Sequence, residues 1–247
     1  MIKLIQCIHR LSHLSSEEFQ AHWLEHHAQL VHRVRALRIY VQYHTLANNP
    51  MTRPALSSVE PYDGFAVTCW DSLEVAQDEI GKGSDFMAVL EDQKLFIDHT
   101  RLVTCMMQEH VIVEPEGSSP YVLVECHRHR PDLNRAVFQE SWLKVHGGFG
   151  RRIHALGLMS GFIQNHTLSD EGDIDMFKTI GIDQKAWDGI GMAYFESIAQ
   201  FKAMATLPMV TEEAFKAENN FDDHESLVSV LTRRHVMKNI IPTTIYN

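Results

Sequence analysis

The chain has 247 residues, 45% of them hydrophobic and 22% charged, with a formal net charge of −10 at pH 7. That length allows one large domain or two of ordinary size, with enough apolar material for a core. The acidic balance and the lack of a basic stripe argue against nucleic acid as the main partner, and no apolar run reaches membrane-spanning length.

In chain order, Ile2–Arg10 reads as an apolar strand, and Ser15-Ser16-Glu17-Glu18 opens a helix with Ser15 as cap and Glu18 three residues on. The helix is expected to run to about Leu37. A strand over Arg38–Leu46, a loop over Ala47–Pro61 and a strand over Tyr62–Trp70 follow. A helical stretch from Ser72 to about Phe96 is interrupted near Gly81-Lys82-Gly83, and the strand Arg101–Val113 closes this half. Glu114–Pro120 is a Pro/Gly/Ser linker. From Tyr121 the same order recurs, with its longest loop at Ser169–Trp187.

The recurrence extends to residues. Phe19, Trp23 and His27 return as Phe138, Trp142 and His146; Gln42-x-His44-Thr45-Leu46 returns as Gln164-x-His166-Thr167-Leu168. Asp63-Gly64 returns as Asp188-Gly189, and Asp98-His99 as Asp223-His224, the offset drifting from 119 to 122 to 125 residues. A duplicated unit with small loop insertions gives this pattern, and the boundaries are set at 1–116 and 117–247. The order βαββαβ is that of a ferredoxin-like unit, whose sheet has helices on one face only. Two copies can bury their bare faces against each other. The expected fold class is α+β, with two ferredoxin-like βαββαβ repeats forming one pseudo-dimeric α+β barrel.

The four cysteines, Cys7, Cys69, Cys105 and Cys126, sit in apolar runs without paired spacing and read as buried thiols in a reducing compartment. With no secretory leader pattern at the start, a cytoplasmic location is expected.

At about 100° per residue, positions 19, 23, 27, 30, 34 and 37 fall within an arc of roughly 80°, which turns His27 toward the sheet one turn after Trp23. On the following strand, alternation puts Tyr40, Gln42, His44 and Leu46 on one side. An inward imidazole facing a phenol, an amide and a second imidazole points to a pocket rather than a dry core. In the second half Phe162 stands where the first has Tyr40, so the N-terminal pocket is expected to be the better equipped. The other is read as vestigial or as binding something else.

The pattern Arg10-x-x-x-x-Ser15-x-Glu17-x-Phe19-x-x-x-Trp23-x-x-x-His27-Ala28-x-Leu30-Val31, followed by Tyr40-Val41-Gln42-x-His44, resembles the EthD family of the dimeric α+β barrel superfamily. The resemblance covers nearly all of residues 1–113 and, more loosely, 121–238. It implies a small-molecule pocket between sheet and helices, with the helix histidine as its recurrent polar group. The wider superfamily includes cofactor-free lactone isomerases, polyketide cyclases and dehydratases, quinone-forming monooxygenases and haem enzymes, so the resemblance does not fix a reaction.

On these grounds the leading expectation is a cofactor-independent lyase, isomerase or dehydratase acting on a small oxygenated molecule, aromatic or lactone-like. His27 would be the general base or acid, and Tyr40 and His44 would hold an enolate or phenolate oxygen. Phe19 and Trp23 would form the apolar wall, with Gln42 and His146 as further substrate-binding groups. The alternatives are an oxidative enzyme, either cofactor-free or with haem on a pocket histidine, and a non-catalytic carrier of a hydrophobic metabolite. No cofactor and no metal is expected, because His22 reads as solvent-side, which sets aside His22, His26 and His27 as a ligand set. His127-Arg128-His129-Arg130 reads as a solvated rim, and Asp98 and Asp223 as turn partners. A small-molecule substrate is the expected partner, with a homodimer possible.

Overall fold

In the computed structural model, which describes residues 1–47, 59–168 and 184–240, eight strands close into one antiparallel barrel. They are β1 Ile2–Ile8, β2 Leu37–Thr45, β3 Gly64–Trp70, β4 Val103–Val113, β5 Tyr121–His127, β6 Gly161–Thr167, β7 Gly189–Phe195 and β8 Val228–Asn239. Their order around the barrel is β1-β3-β2-β8-β5-β7-β6-β4. Each half contributes four adjacent strands, and the two seams are β2 with β8 and β4 with β6.

Strand alternation sorts side chains between two environments. From β1, Ile5 and Cys7 point into the barrel, where they meet Cys105, Cys126, Val122, Val124 and Ile190, while Leu4 and Ile8 face the helices outside. All four cysteines are buried and unbridged, as their apolar settings suggest. Two pairs of histidines meet at the seams. His44 on β2 packs against His235 on β8 with ring centroids 4.7 Å apart, and His110 on β4 against His166 on β6 at 4.2 Å.

Helix α1 covers residues 16–33 and carries a π-helical segment, His22–His27, between Ser16–Ala21 and Ala28–Arg33. Its capping box forms as read: Glu18 N donates to Ser15 Oγ at 3.1 Å and Ser15 N to the Glu18 carboxylate at 2.8 Å. The inward face differs from the expected arc, because i→i+5 bonding advances the register. Past His27 the buried positions are Ala28, Val31 and Val34, with Leu30 only partly covered. The helix stops at Arg33, where Val34 becomes extended, and Leu37 opens β2 by pairing with Trp70 instead of ending the helix. Helices α2 (Leu73–Lys82) and α3 (Ser84–Gln93) meet at Gly83, at the expected interruption. In the second half α4 (Arg135–Ala155) is a continuous α-helix capped by Asn134. It is followed by α5 (Ile198–Ala205) and α6 (residues 209–218).

The repeated Asp-Gly pair has a packing cause. A Cβ on Gly64 would lie 2.4 Å from the Trp23 ring, and one on Gly189 2.6 Å from the Trp142 ring. Glycine thus lets each helix tryptophan lie on the barrel wall. Asp63 binds the Arg10 backbone N–H and guanidinium, and Asp188 binds His129 N and Arg135 Nε.

Three strand ends are shorter than expected. β1 stops at Ile8, leaving Arg10 in an isolated bridge to Ile97; β3 starts at Gly64 and β4 at Val103. The loops expected at Ala47–Pro61 and Ser169–Trp187 lie largely outside the described residues. Among the described residues no helix is long and apolar enough to cross a membrane.

Candidate active site

Between α1, α3 and the outer face of β1–β4 lies a narrow cavity of about 40 Å³. Its walls are apolar, among them Leu4, Ile8, Val31, Trp70, Phe86 and Val89, with Trp23, His27, Tyr40, Gln6, Gln93 and Thr104 bringing polar atoms.

His27 is 2% exposed, and its Nδ1 lies 2.7 Å from Oδ2 of Asp92 on α3. With the carboxylate accepting the Nδ1 proton, Nε2 is left as the basic nitrogen of this cavity-lining residue. Burial pulls the His27 pKa below its usual value, against the opposing pull of Asp92, so the imidazole is neutral at pH 7. Asp92 is itself buried, yet its pKa is lowered because hydrogen bonds from His27 and His22 outweigh desolvation. His22 Nε2 stands 3.0 Å and His26 Nε2 3.4 Å from Asp92 Oδ1. The π turn brings this about, since residues four and five apart share one face. His22 is therefore no bystander: it joins Asp92 to the half-exposed edge of the helix.

Tyr40 is 2% exposed. Its hydroxyl oxygen accepts from Trp23 Nε1 at 2.8 Å and from Gln42 Nε2 at 3.0 Å. Two donors occupy both lone pairs, which leaves the O–H proton to be donated elsewhere. Burial raises the Tyr40 pKa despite those donors, so the group is a hydrogen-bond donor and not a base. Gln93 Oε1 and Thr104 Oγ1 also line the cavity and are buried without partners.

Four sequence-derived site residues stand elsewhere, His146 among them in the second cleft. His44 does not line the cavity; it stacks on Trp23 at 4.5 Å with 7° between the rings, and its Nε2 lies 2.8 Å from Gln42 Oε1. Desolvation, aided by His235, drops its pKa to about 3, so it braces the tryptophan as a neutral ring. Gln42 holds Tyr40 and the Trp23 carbonyl from behind. Phe19 supports Trp23 and Phe96 from the core. The sequence reading missed Asp92, Gln93 and Thr104. Only the acidic, polar end of α3 marked the first two, and nothing distinguished Thr104.

The second cleft, about 60 Å³, has His146, Glu125, Glu218, Phe149, Gly150 and Phe162 among its lining residues. Here Trp142 Nε1 donates to His146 Nδ1 at 2.6 Å, and His146 Nε2 faces Glu218 Oε1 at 3.3 Å. His127, expected on a solvated rim, is 1% exposed and bonds Asp222 Oδ2 through Nδ1 at 2.7 Å. Asp98 and Asp223 do act as turn partners, accepting from Thr100 N and Glu225 N.

The EthD domain family profile matches residues 11–100 and 130–225. No curated protein matches the sequence. Among solved structures, an anthrone oxidase-like protein superimposes with a TM-score of 0.67 at 10% identity, over 99% of this chain and 96% of its own. A protein from Lactobacillus acidophilus NCFM, provisionally assigned as a monooxygenase, gives 0.55 at 10% identity over 97% of each chain. A chlorite dismutase variant from Candidatus Nitrospira defluvii gives 0.52 at 11% identity over 96% of this chain and 92% of its own. At such identities the likeness is one of fold: a mixed α+β architecture around an antiparallel eight-stranded barrel.

Proposed function

The chain belongs to the EthD family, and on that premise we propose that its N-terminal cleft is the active site of an enzyme that removes a proton from a small, largely apolar, oxygenated substrate. The observation that carries this reading is the Asp92–His27 pair, at 2.7 Å, beside a cavity that both His27 and Tyr40 line. His27 Nε2 takes the proton as general base. Tyr40 donates its hydroxyl hydrogen to the oxyanion that develops. Gln93 Oε1 accepts from a substrate hydroxyl, and the apolar walls hold an aromatic or lactone-like skeleton and keep water out. Asp92 fixes the tautomer and stabilises the imidazolium, while His22 and His26 offer the proton a way to solvent.

Proton removal of this kind serves a cofactor-independent lyase, dehydratase or isomerase: the electron pair left behind expels a leaving group, or collects the proton again at another atom. A second reading is oxidative, in which the same carbanion is consumed by dioxygen; the names of the fold neighbours, anthrone oxidase-like and monooxygenase, favour it. A haem-dependent form of this reading would take a pocket histidine as axial ligand, and no step is assigned to it. In the same reading the halves 1–116 and 117–247 are two ferredoxin-like repeats fused into a pseudo-dimer.

The test is turnover of a panel of lactones, β-hydroxy carbonyl compounds and hydroxylated aromatics, in air and without oxygen. Turnover that persists anaerobically and is lost in His27→Ala, with substrate binding retained, supports the lyase or isomerase reading. Stoichiometric oxygen consumption moves the assignment to the oxidative one. Binding that survives His27→Ala with no turnover of any compound identifies a carrier instead.

A further inference from the structure

The duplicated clefts differ in charge in a way the substrate reading leaves unexplained. Cleft-lining Gln6 and Gln93 of the first half are Glu125 and Glu218 in the second, and Ile97 is Asp222. The equivalence is structural: Arg10 bridges Ile97 as His129 bridges Asp222, and Leu11 N bonds Phe96 O as Arg130 N bonds Phe221 O. Two neutral amides and an alkyl group have become three carboxylates. Glu218 and Asp222 are both at most 3% exposed, a placement that is strongly unfavourable without compensating positive charge.

The compensation among side chains is incomplete. His127 Nδ1 bonds Asp222 Oδ2, but Asp222 Oδ1 is buried with no hydrogen-bond partner. Both ring nitrogens of His224 are in the same condition, although its side chain is only 10% exposed. His224 approaches both carboxylates, meeting Asp222 at Oδ2 rather than at the unpartnered Oδ1. His224 Nε2 is 3.6 Å from Glu218 Oε2 and 4.0 Å from Asp222 Oδ2. Among the described residues Glu218, Asp222 and His224 form the group of possible ligands whose donor atoms all lie within 4.8 Å of one another. A cation bound about 2.1 Å from each ligand separates its donors by roughly 3 to 4 Å, a range that both His224 distances meet.

We propose that the C-terminal cleft binds one divalent transition-metal ion of the Zn²⁺ class through Glu218, Asp222 and His224. An imidazole with two carboxylates is a nitrogen–oxygen donor set suited to such an ion. His146 acts as a positioning residue. The Trp142 indole N–H on Nδ1 fixes its tautomer, and its Nε2–H is then directed at the other oxygen of Glu218, as carboxylate ligands commonly require of their neighbours. Glu218 and His146 line the cavity, so the ion site adjoins it. This cleft is then a site of its own and not a decayed copy of the first.

The experiment is calorimetric titration of the EDTA-treated full chain with Zn²⁺, alongside a crystal soaked in Zn²⁺ and measured for anomalous scattering. The expected results are one equivalent bound, a rise in Tm with the metal, and an anomalous peak between Glu218, Asp222 and His224. His224→Ala and Glu218→Gln are each expected to weaken binding at least about tenfold, while His22→Ala, in the other cleft, leaves it unchanged. Absence of binding, a peak elsewhere, or binding lost in His22→Ala and kept in His224→Ala overturns the proposal. The soaked wild-type crystal decides the question even if a variant does not fold.

Discussion

In the N-terminal cleft the Trp23 indole gives its proton to a phenol; in the C-terminal cleft, where Phe162 replaces that phenol, Trp142 gives it to an imidazole. The tryptophan, its glycine platform and the helix histidine are the same in both. Yet His27 keeps Nδ1 for Asp92, which leaves Nε2 basic, whereas His146 has Nδ1 filled and Nε2 turned to Glu218. The phenol that takes the indole proton and Asp92, whose counterpart is Ala217, together decide which nitrogen of the imidazole is basic. The comparison teaches that a repeated catalytic residue type need not repeat its protonation state, because the tautomer is set by the neighbours that claim each nitrogen.

The largest expected effect divides the two clefts. His27→Ala is expected to lower kcat by on the order of 10²–10⁴, the usual contribution of a general base, while His146→Ala lowers it far less. Steady-state turnover on a substrate found in the panel measures both, and a larger loss in His146→Ala would place the chemistry in the wrong half.

Tyr40→Phe sharpens the contrast by making the first cleft resemble the second. A loss of about 10² in kcat is expected from removing an oxyanion donor. The freed Trp23 indole is expected to turn to His27 Nδ1, in competition with Asp92. Nitrogen-15 NMR of the imidazole reads the tautomer directly. An unchanged His27 spectrum in Tyr40→Phe would break the account of the tautomer. The reverse change, Phe162→Tyr, is expected to release His146 Nδ1.

What the clefts share responds alike. Gly64→Ala and Gly189→Ala each push a Cβ into a tryptophan ring, at 2.4 and 2.6 Å, and are each expected to destabilise the chain by about 1–3 kcal/mol. Urea unfolding of the two variants provides the check, and a cost in one half only would deny that the Asp-Gly pair does the same work twice.

The smallest effect comes from the seam histidines. Burial, aided by His235 and His110 respectively, holds the folded pKa of His44 at about 3 and of His166 at about 4, below the unfolded value of about 6.5. Between these values the unfolded chain binds more protons than the folded one, so their contribution is complete above about pH 6.5 and drains as pH falls toward 4 and 3. About 1–2 kcal/mol per residue is expected to be lost between pH 7 and pH 5. The slope should flatten in His44→Phe and His166→Phe by similar amounts; a flat wild-type profile would contradict the neutral, stacked state of both rings.

The sequence alone determined the features that local periodicity and self-comparison can carry. Residue pairs such as Trp23 with Trp142 and Gly64 with Gly189 revealed the duplication. The capping box at Ser15 and Glu18 set the start of α1, and strand alternation placed Tyr40 inside. His27 was found to point inward because Phe19, Trp23 and His27 recur four residues apart, and the π turn changes only which positions past His27 are buried. Other features were invisible because they depend on segments far apart in the chain. Asp92 reaches His27 across 65 positions, Asp222 reaches His127 across 95, and Asp92 has only Ala217 as its counterpart in the second half. His44 carried the right chemistry on the right strand, but tertiary packing laid it against Trp23 and took it out of the cavity. Periodicity says which way a side chain points; only the closed barrel and its packed helices decide which polar groups meet, and which nitrogen of each imidazole remains to act.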